Sequence, residues 1–143
     1  MVGLLDVNVL VALFVPEHQH HELALNWFAA TAATGGWATC AVTAFGVIRV
    51  CAQLSGGNWP PEVTADRLLM LTASNREYVW WADAVSPAVL PEVRSASKAK
   101  QVTDRYLLGL ARRNGGQLVT FDRQLAADGG HDVVCLPLTH PPR

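Results

Sequence analysis

Three aspartates occupy positions where carboxylates could build a metal-dependent site. Asp6 directly follows the apolar segment 2–5, Asp122 directly follows the apolar segment 118–121, and Asp104 stands at the start of the most regular helical pattern in the chain. If the three side chains converge, their mutual repulsion needs a counter-charge. A divalent cation would supply that charge, and hard carboxylate oxygens suit Mg²⁺ or Mn²⁺.

Each aspartate taken singly also has a simpler explanation. Asp104 could complement the positive N-terminal end of its helix, and Asp122 could cap a short helix over residues 123–127. Asp6 is harder to explain in this way, because it lies between apolar segments, where an unpaired carboxylate is costly. The spacing alone therefore suggests a site without establishing that the three residues meet.

The elements that must position these residues alternate between strands and helices. Short apolar segments predict strands at 2–5, 37–40, 78–81, 117–121 and 133–136. Helical spacing and stop signals predict helices at 9–15, 21–34, 43–54, 62–73, 103–114 and 123–127. This alternation is typical of an α/β fold, with a parallel sheet of about four to five strands flanked by helices in an α/β/α sandwich. Function in such sheets gathers at the carboxyl ends of the strands.

Details of two helices are also predicted. Thr43 is expected to cap the helix over residues 43–54, and Phe45, Ile48 and Ala52 are expected to form its buried face. The candidate core residues of the next helix are Val63, Leu68, Leu69 and Leu71.

Composition limits the class of protein. The chain has 143 residues, of which 50% are hydrophobic, and a net charge of −1. These values predict one folded domain over residues 1–136 and exclude overall disorder. They also give no whole-molecule electrostatic attraction to nucleic acid. The prolines of segment 137–143 predict a C-terminal tail.

The cysteines and the N-terminal segment bear on location. Three cysteines cannot all pair within the chain, which favours reduced thiols in a cytoplasmic protein. The N-terminal segment lacks a basic start, and its apolar stretch is too short to span a bilayer, so neither a secretory signal nor a membrane partner is expected.

Four ordered segments resemble the PIN-domain ribonucleases, and among them the VapC-type toxins of bacterial toxin–antitoxin modules. The segments are LLDVNVLVALF at the start, TAFGVIRV at 43–50, VTDRYLLGLA at 102–111 and LVTFDRQL at 118–125. The resemblance implies a Rossmann-like parallel sheet with clustered acidic residues at its strand ends. It further implies Mg²⁺- or Mn²⁺-dependent cleavage of RNA, a cognate antitoxin and a homodimer.

Within this resemblance, individual residues acquire expected roles. Asp6, Asp104 and Asp122 match the family carboxylates and are expected to be both the catalytic residues and the metal ligands. Asn8 matches a polar family position two residues after the first aspartate. Asn8 and Thr120 are expected to orient the ligands through hydrogen bonds.

One position departs from the family pattern. Relatives usually carry a glutamate directly after the threonine of the TAFGVIRV segment, where this chain has Ala44. Three carboxylates can still hold one Mg²⁺, which keeps several waters, but a two-metal mechanism is less expected. The main alternative is therefore a catalytically weakened PIN-like module that binds RNA or protein. A small nucleotide-binding α/β protein is a third hypothesis, and the absence of a glycine-rich loop after the first strand counts against it.

A segment rich in basic residues could bind RNA. Six of the 11 lysines and arginines fall within residues 94–113, and they are either a solvated face or a track for RNA phosphates. The candidate RNA-binding residues are Arg94, Lys98, Lys100, Arg105 and Arg112. His18, His20 and His21 are interpreted as surface or helix-start histidines rather than a metal site. Trp80 and Trp81 are assigned to packing rather than to base stacking.

Overall fold

The computed structural model describes residues 1–137, so the predicted tail lies outside the described residues except for Pro137. A five-stranded parallel sheet forms the centre, in the order β3-β2-β1-β4-β5. The strands are β1 (Gly3–Leu5), β2 (Trp37–Thr39), β3 (Tyr78–Trp80), β4 (Gln117–Thr120) and β5 (Val133–Cys135). The predicted parallel α/β sheet is therefore confirmed.

Within residues 1–137, eight α-helices connect and cover the strands. They are α1 (Val7–Phe14), α2 (His21–Trp27), α3 (Ala33–Gly35), α4 (Ala41–Leu54), α5 (Pro61–Ser74), α6 (Pro91–Arg94), α7 (Val102–Arg113) and α8 (Arg123–Gly129). The single helix predicted over 21–34 is divided by a π-helical segment, Phe28–Ala32, between α2 and α3. Among the helices of residues 1–137, none combines the length and apolarity that crossing a membrane requires.

Alternate strand residues divide the core into two layers. Leu4 pairs in register with Leu118, and both pack in the layer beneath α7 and α8. Leu5 pairs with Val119, and both pack in the layer beneath α1 and α4. Because successive strand residues point to opposite faces, a strand buried on both faces reads as a continuous apolar run. The arrangement is the predicted α/β/α sandwich.

Two helix details differ from expectation. Thr43 is not the cap of α4: Cys40 precedes the helix, and the Thr43 Oγ1 accepts a hydrogen bond from the Cys40 backbone N–H at 3.0 Å. Phe45 is 75% exposed and Leu69 is 66% exposed, whereas the neighbouring Leu68 is buried. The predicted burial of Phe45 and Leu69 is therefore wrong. Leu68 is buried as predicted, and Ile48 and Leu71 pack, partly buried, against the core.

The order of the strands creates a topological switch point at the carboxyl edge of the sheet. From β1 the chain proceeds to β2 and β3 on one side, and it then crosses to β4 and β5 on the other. Ligands in open α/β sheets bind at such a topological switch point, outside the carboxyl ends of the strands. Here the switch point lies between β1 and β4, the strands that Asp6 and Asp122 follow.

Candidate active site

Asp6 is buried at the junction of β1 and α1. Its side chain is 6% exposed, and it precedes the first residue of the helix. Its Oδ1 accepts a hydrogen bond from the Val7 backbone N–H at 2.7 Å, and its Oδ2 accepts one from the Thr120 hydroxyl at 2.7 Å. Burial raises the pKa of Asp6 and repulsion from Asp122 adds to the rise, while the two hydrogen bonds oppose it.

The Thr120 hydroxyl connects both strand ends. It donates to Asp6, and it accepts hydrogen bonds from the Asn8 side-chain amide at 3.2 Å and from the Asp122 backbone N–H at 3.1 Å. The Asn8 carbonyl oxygen in turn accepts from the Phe121 backbone N–H at 3.3 Å. Asn8 and Thr120 therefore lie where a role in orienting the carboxylates requires them.

Replacing Thr120 with valine should loosen this junction. Valine keeps the volume but removes the donor to the buried Asp6 oxygen and the acceptor for Asp122, so we expect a loss of about 1–3 kcal/mol in the free energy of unfolding. Thr120→Ser keeps the hydroxyl and should lose less. Urea denaturation of the three proteins measures the difference, and equal stability of the valine and serine variants would contradict the assigned role.

Asp122 has two roles that its position makes compatible. Its Oδ1 caps α8 by accepting hydrogen bonds from the backbone N–H groups of Gln124 at 2.9 Å and Leu125 at 3.1 Å. The capping prediction is therefore confirmed. Its second oxygen accepts no hydrogen bond among the described residues and is available to a ligand.

Asp104 differs from the other two carboxylates because no described residue binds its side chain. It lies in the first turn of α7, and it makes no hydrogen bond or ion pair within residues 1–137. Burial raises the pKa of Asp104 to about 6, and repulsion from Asp6 and Asp122 contributes to the rise. This carboxylate is thus destabilised in its charged form by the site that contains it.

The metal-free protein should lose stability as the pH rises from 3.8 to about 6. In that interval the folded state keeps a proton on Asp104 that the unfolded state has released, so deprotonation favours unfolding. The raised pKa of Asp6 acts in the same direction. The urea midpoint measured at intervals of pH should fall, and it should fall less in Asp104→Asn. Parallel profiles for the two proteins would contradict this assignment.

The three carboxylates line one cavity. Asp6, Asp104 and Asp122 share a space of about 370 Å³ with Asn8 and His18. Asp104 and Asp122 also line an adjoining cavity of about 560 Å³. The structure thus brings the predicted residues to one place, at the carboxyl edge of the sheet.

The donor chemistry fits a divalent cation. Repulsion among the carboxylates contributes to the raised pKa values of Asp6 and Asp104, and Asp104 and Asp122 offer oxygens without partners among the described residues. The described part of the chain holds no group of three acidic, histidine or cysteine side chains already close enough to enclose a metal. Mg²⁺ does not require such a cage, because it usually binds through one or two carboxylates and keeps several waters.

The five candidate RNA-binding residues separate into two groups. Lys98, Lys100 and Arg105 line the larger cavity beside Asp104 and Asp122. Arg105 also pairs with an acidic neighbour, Asp128, at 3.2 Å.

The other two candidates bond elsewhere. Arg112 pairs with Asp132 at 2.8 Å and with Glu92 at 3.4 Å, and Arg94 donates a hydrogen bond to the Ala88 carbonyl at 3.2 Å. The local basic track beside the carboxylates therefore depends on Lys98, Lys100 and Arg105.

Two other positions bear on the site. Ala44 is half-buried against the apolar layer beneath α1 and α4, and it is not among the residues that line the carboxylate cavity. His18, which is expected to be a surface or helix-start histidine, is partly buried and lines that cavity. Its Nδ1 accepts a hydrogen bond from the His20 backbone N–H at 3.0 Å. The sequence signal was the position of His18 soon after α1, the helix that Asp6 caps.

Comparisons with known proteins identify the family of this chain. A family model described as PIN domain matches residues 3–128. Ribonuclease VapC39 of Mycobacterium tuberculosis is 38% identical over 94% of this chain and 98% of its own. Ribonuclease VapC29 of the same organism is 38% identical over 97% and 99%, and Ribonuclease VapC38 is 41% identical over 85% of each chain. The solved structure of FitAB bound to an IR36 DNA fragment has a similar fold, with a TM-score of 0.65 at 19% identity, covering 98% of this chain and 99% of that one.

Proposed function

Because this chain belongs to the PIN-domain family, we propose that it is a divalent-metal-dependent endoribonuclease and the toxin of a type II toxin–antitoxin module. The observation that carries this proposal is the convergence of Asp6, Asp104 and Asp122 on one cavity at the switch point of the sheet. The relatives named as ribonucleases match nearly the full length of the chain. The alternative of a PIN-like module that only binds RNA or protein is not favoured.

The three aspartates would hold Mg²⁺ or Mn²⁺. A bound divalent ion supplies a Lewis acid that stabilises charge on the scissile phosphate and helps to activate a water molecule as nucleophile. Thr120 and Asn8 hold Asp6 and the start of the Asp122 segment in position through their hydrogen bonds. The burial of Asp6 keeps its orientation fixed before substrate arrives, which lowers the cost of forming the reactive arrangement.

RNA phosphates would approach over the larger cavity. Lys98, Lys100 and Arg105 stand on the wall shared with Asp104 and Asp122, so they offset the acidic charge where the backbone must pass. Because the whole chain has a net charge of −1, attraction to RNA has to come from such a local group. Binding should consequently weaken steeply as salt is added.

Partners follow from the same assignment. We expect a single PIN domain over residues 1–136 that forms a homodimer and is inhibited by a cognate antitoxin. A basic side chain from the antitoxin would suit the clustered carboxylates, because an arginine fork binds a carboxylate through two parallel hydrogen bonds. The three cysteines are free, as expected for action in the cytoplasm.

A ribonuclease assay with controlled metal tests the proposal. The purified protein should cleave RNA when Mg²⁺ or Mn²⁺ is present, lose this activity in EDTA and regain it when the ion is added back in excess. Co-expression with its antitoxin should yield a complex whose cleavage is suppressed. Metal-independent cleavage, or RNA left intact with both ions at neutral pH, would overturn the proposed activity.

A further inference from the structure

A third cavity opens at the same carboxyl edge of the sheet, on the side of β3. It encloses about 450 Å³, within the range of about 300–1,000 Å³ that small-ligand sites occupy. Most of its wall is apolar, from Val42, Val85, Pro87 and Val102. We call it the β3-side cavity; neither the metal ligands nor the basic track uses it.

The β3-side cavity adjoins the proposed catalytic site through helix α7. Thr103 lines the β3-side cavity, and the next residue, Asp104, lines the carboxylate cavity, so the two spaces flank the same first helical turn. Along the sheet, only β2 separates β3 from β1. Strands lie about 4.8 Å apart, which places the ends of β3 and β1 roughly 10 Å from each other. A nucleotide next to the scissile phosphate can span that interval.

The charged residue that lines the β3-side cavity is Asp83, whose carboxylate is oriented by a hydrogen bond. Tyr106 is 5% exposed, and its hydroxyl donates a hydrogen bond to Oδ1 of Asp83. Burial and the neighbouring carboxylate raise the pKa of Tyr106, so the hydroxyl keeps its proton and continues to donate. The second oxygen of Asp83 accepts no hydrogen bond among the described residues, and the residue is exposed to solvent.

Building on the proposed nuclease function, we propose that the β3-side cavity receives the nucleobase beside the scissile phosphate and that Asp83 selects guanine. A carboxylate offers only acceptors, and each oxygen has two lone pairs, so Oδ1 can bind Tyr106 and still accept again. Guanine presents two adjacent donors, N1–H and the N2 amino group, on its Watson–Crick edge. Adenine, cytosine and uracil each present at least one acceptor that would face the carboxylate. Single-stranded RNA exposes this edge to side chains.

The test compares oligouridylates that carry one guanosine, inosine, 7-deazaguanosine or adenosine. With Mn²⁺, we expect cleavage beside guanosine to exceed cleavage beside adenosine by on the order of tenfold in kcat/KM. Inosine lacks the N2 amino group and should lose most of this advantage. The 7-deaza substitution leaves the Watson–Crick edge intact and should keep it.

Variants identify the residue that carries the preference. Asp83→Asn replaces one acceptor by a donor and should remove the difference between guanosine and adenosine, and Tyr106→Phe should reduce it by releasing Asp83. Asp66→Asn, an exposed acid on α5, should leave the preference unchanged. A uniform gain in cleavage of all four oligomers by Asp83→Asn would show relief of charge repulsion only and would overturn the proposal.

A binding measurement separates this inference from the nuclease assignment. Titration of the metal-free protein with GMP, IMP and AMP, followed by NMR, should shift the resonances of Thr103 and Tyr106 most strongly with GMP. Cleavage of RNA without base preference would leave the nuclease in place and overturn the guanine site. GMP-selective shifts without any cleavage would support the guanine site and overturn the nuclease. If Asp83→Asn changes only the sedimentation of the protein, the cavity belongs to a contact between copies and the guanine site is wrong.

Discussion

Asp6→Asn should lower metal-dependent RNA cleavage by about 100-fold or more while leaving the fold intact. A metal ion contributes several kcal/mol to the stabilisation of a phosphoryl transition state, and each 1.36 kcal/mol corresponds to a factor of ten in rate. Asparagine keeps an acceptor for the Val7 N–H, so the start of α1 survives. It removes the negative charge that attracts the cation.

In the metal-free protein Asp6→Asn should cost less stability than Thr120→Val. It also loses the hydrogen bond from the Thr120 hydroxyl, but it relieves the burial and repulsion that raise the pKa of Asp6. Urea unfolding without metal and calorimetric titration with Mn²⁺ measure the two effects. Asp66→Asn serves as the matched control, because it removes an exposed acid from α5. If Asp6→Asn cleaves RNA at the wild-type rate, Asp6 is not a ligand of the metal.

Ala44→Glu should strengthen Mn²⁺ binding by about tenfold or more and raise RNA cleavage. Two unit charges 4 Å apart near a protein surface interact by about 4 kcal/mol, so even a more distant fourth carboxylate adds substantial attraction. Position 44 lies in the first turn of α4, where an acidic residue is favourable to the helix dipole. Without metal, the added repulsion should make Ala44→Glu less stable to unfolding than the wild type. With metal bound, the variant should be the more stable of the two.

The control for this substitution is Ala73→Glu, which adds the same charge at an exposed position of α5 that does not line the carboxylate cavity, so metal affinity should stay unchanged. Calorimetric titrations of both variants and the wild type, with cleavage assays alongside, measure the difference. If Ala44→Glu binds Mn²⁺ no better than Ala73→Glu, position 44 does not face the site. If Ala44→Glu cuts RNA while the wild type binds metal without cutting, the chain is the catalytically weakened module.

The sequence predicts the sheet and the strand-end positions of Asp6 and Asp122 because both depend on local signals. Short apolar segments buried on both faces predict parallel strands, and β4, which ends two residues before Asp122, is one of them. A carboxylate directly after such a strand must lie at the carboxyl edge, whichever helices cover the sheet. The cap that Asp122 provides to α8 is likewise a signal confined to a few neighbouring residues.

Features set by contacts between distant elements were harder to predict. The exposure of Phe45 and Leu69 depends on which helices pack together, and helical spacing alone does not identify the inward face. The contact between Tyr106 and Asp83 joins residues 23 positions apart through the loop that follows β3. The place of His18 at the carboxylate cavity likewise depends on distant residues, because Asp104 and Asp122 line the same space.

The hydrogen bond between Thr120 and Asp6 joins residues 114 positions apart, which determines when the site can exist during synthesis. Strand β1 leaves the ribosome first, but one of its two edges stays unpaired until β4 emerges. Contacts of such high sequence separation form late, because a long loop must close before they stabilise the fold. A nascent chain therefore carries Asp6 without Thr120 and Asp122 for most of its translation. A ribosome that stalls before residue 120 would therefore release a fragment that lacks Thr120 and Asp122, and with them the proposed metal site.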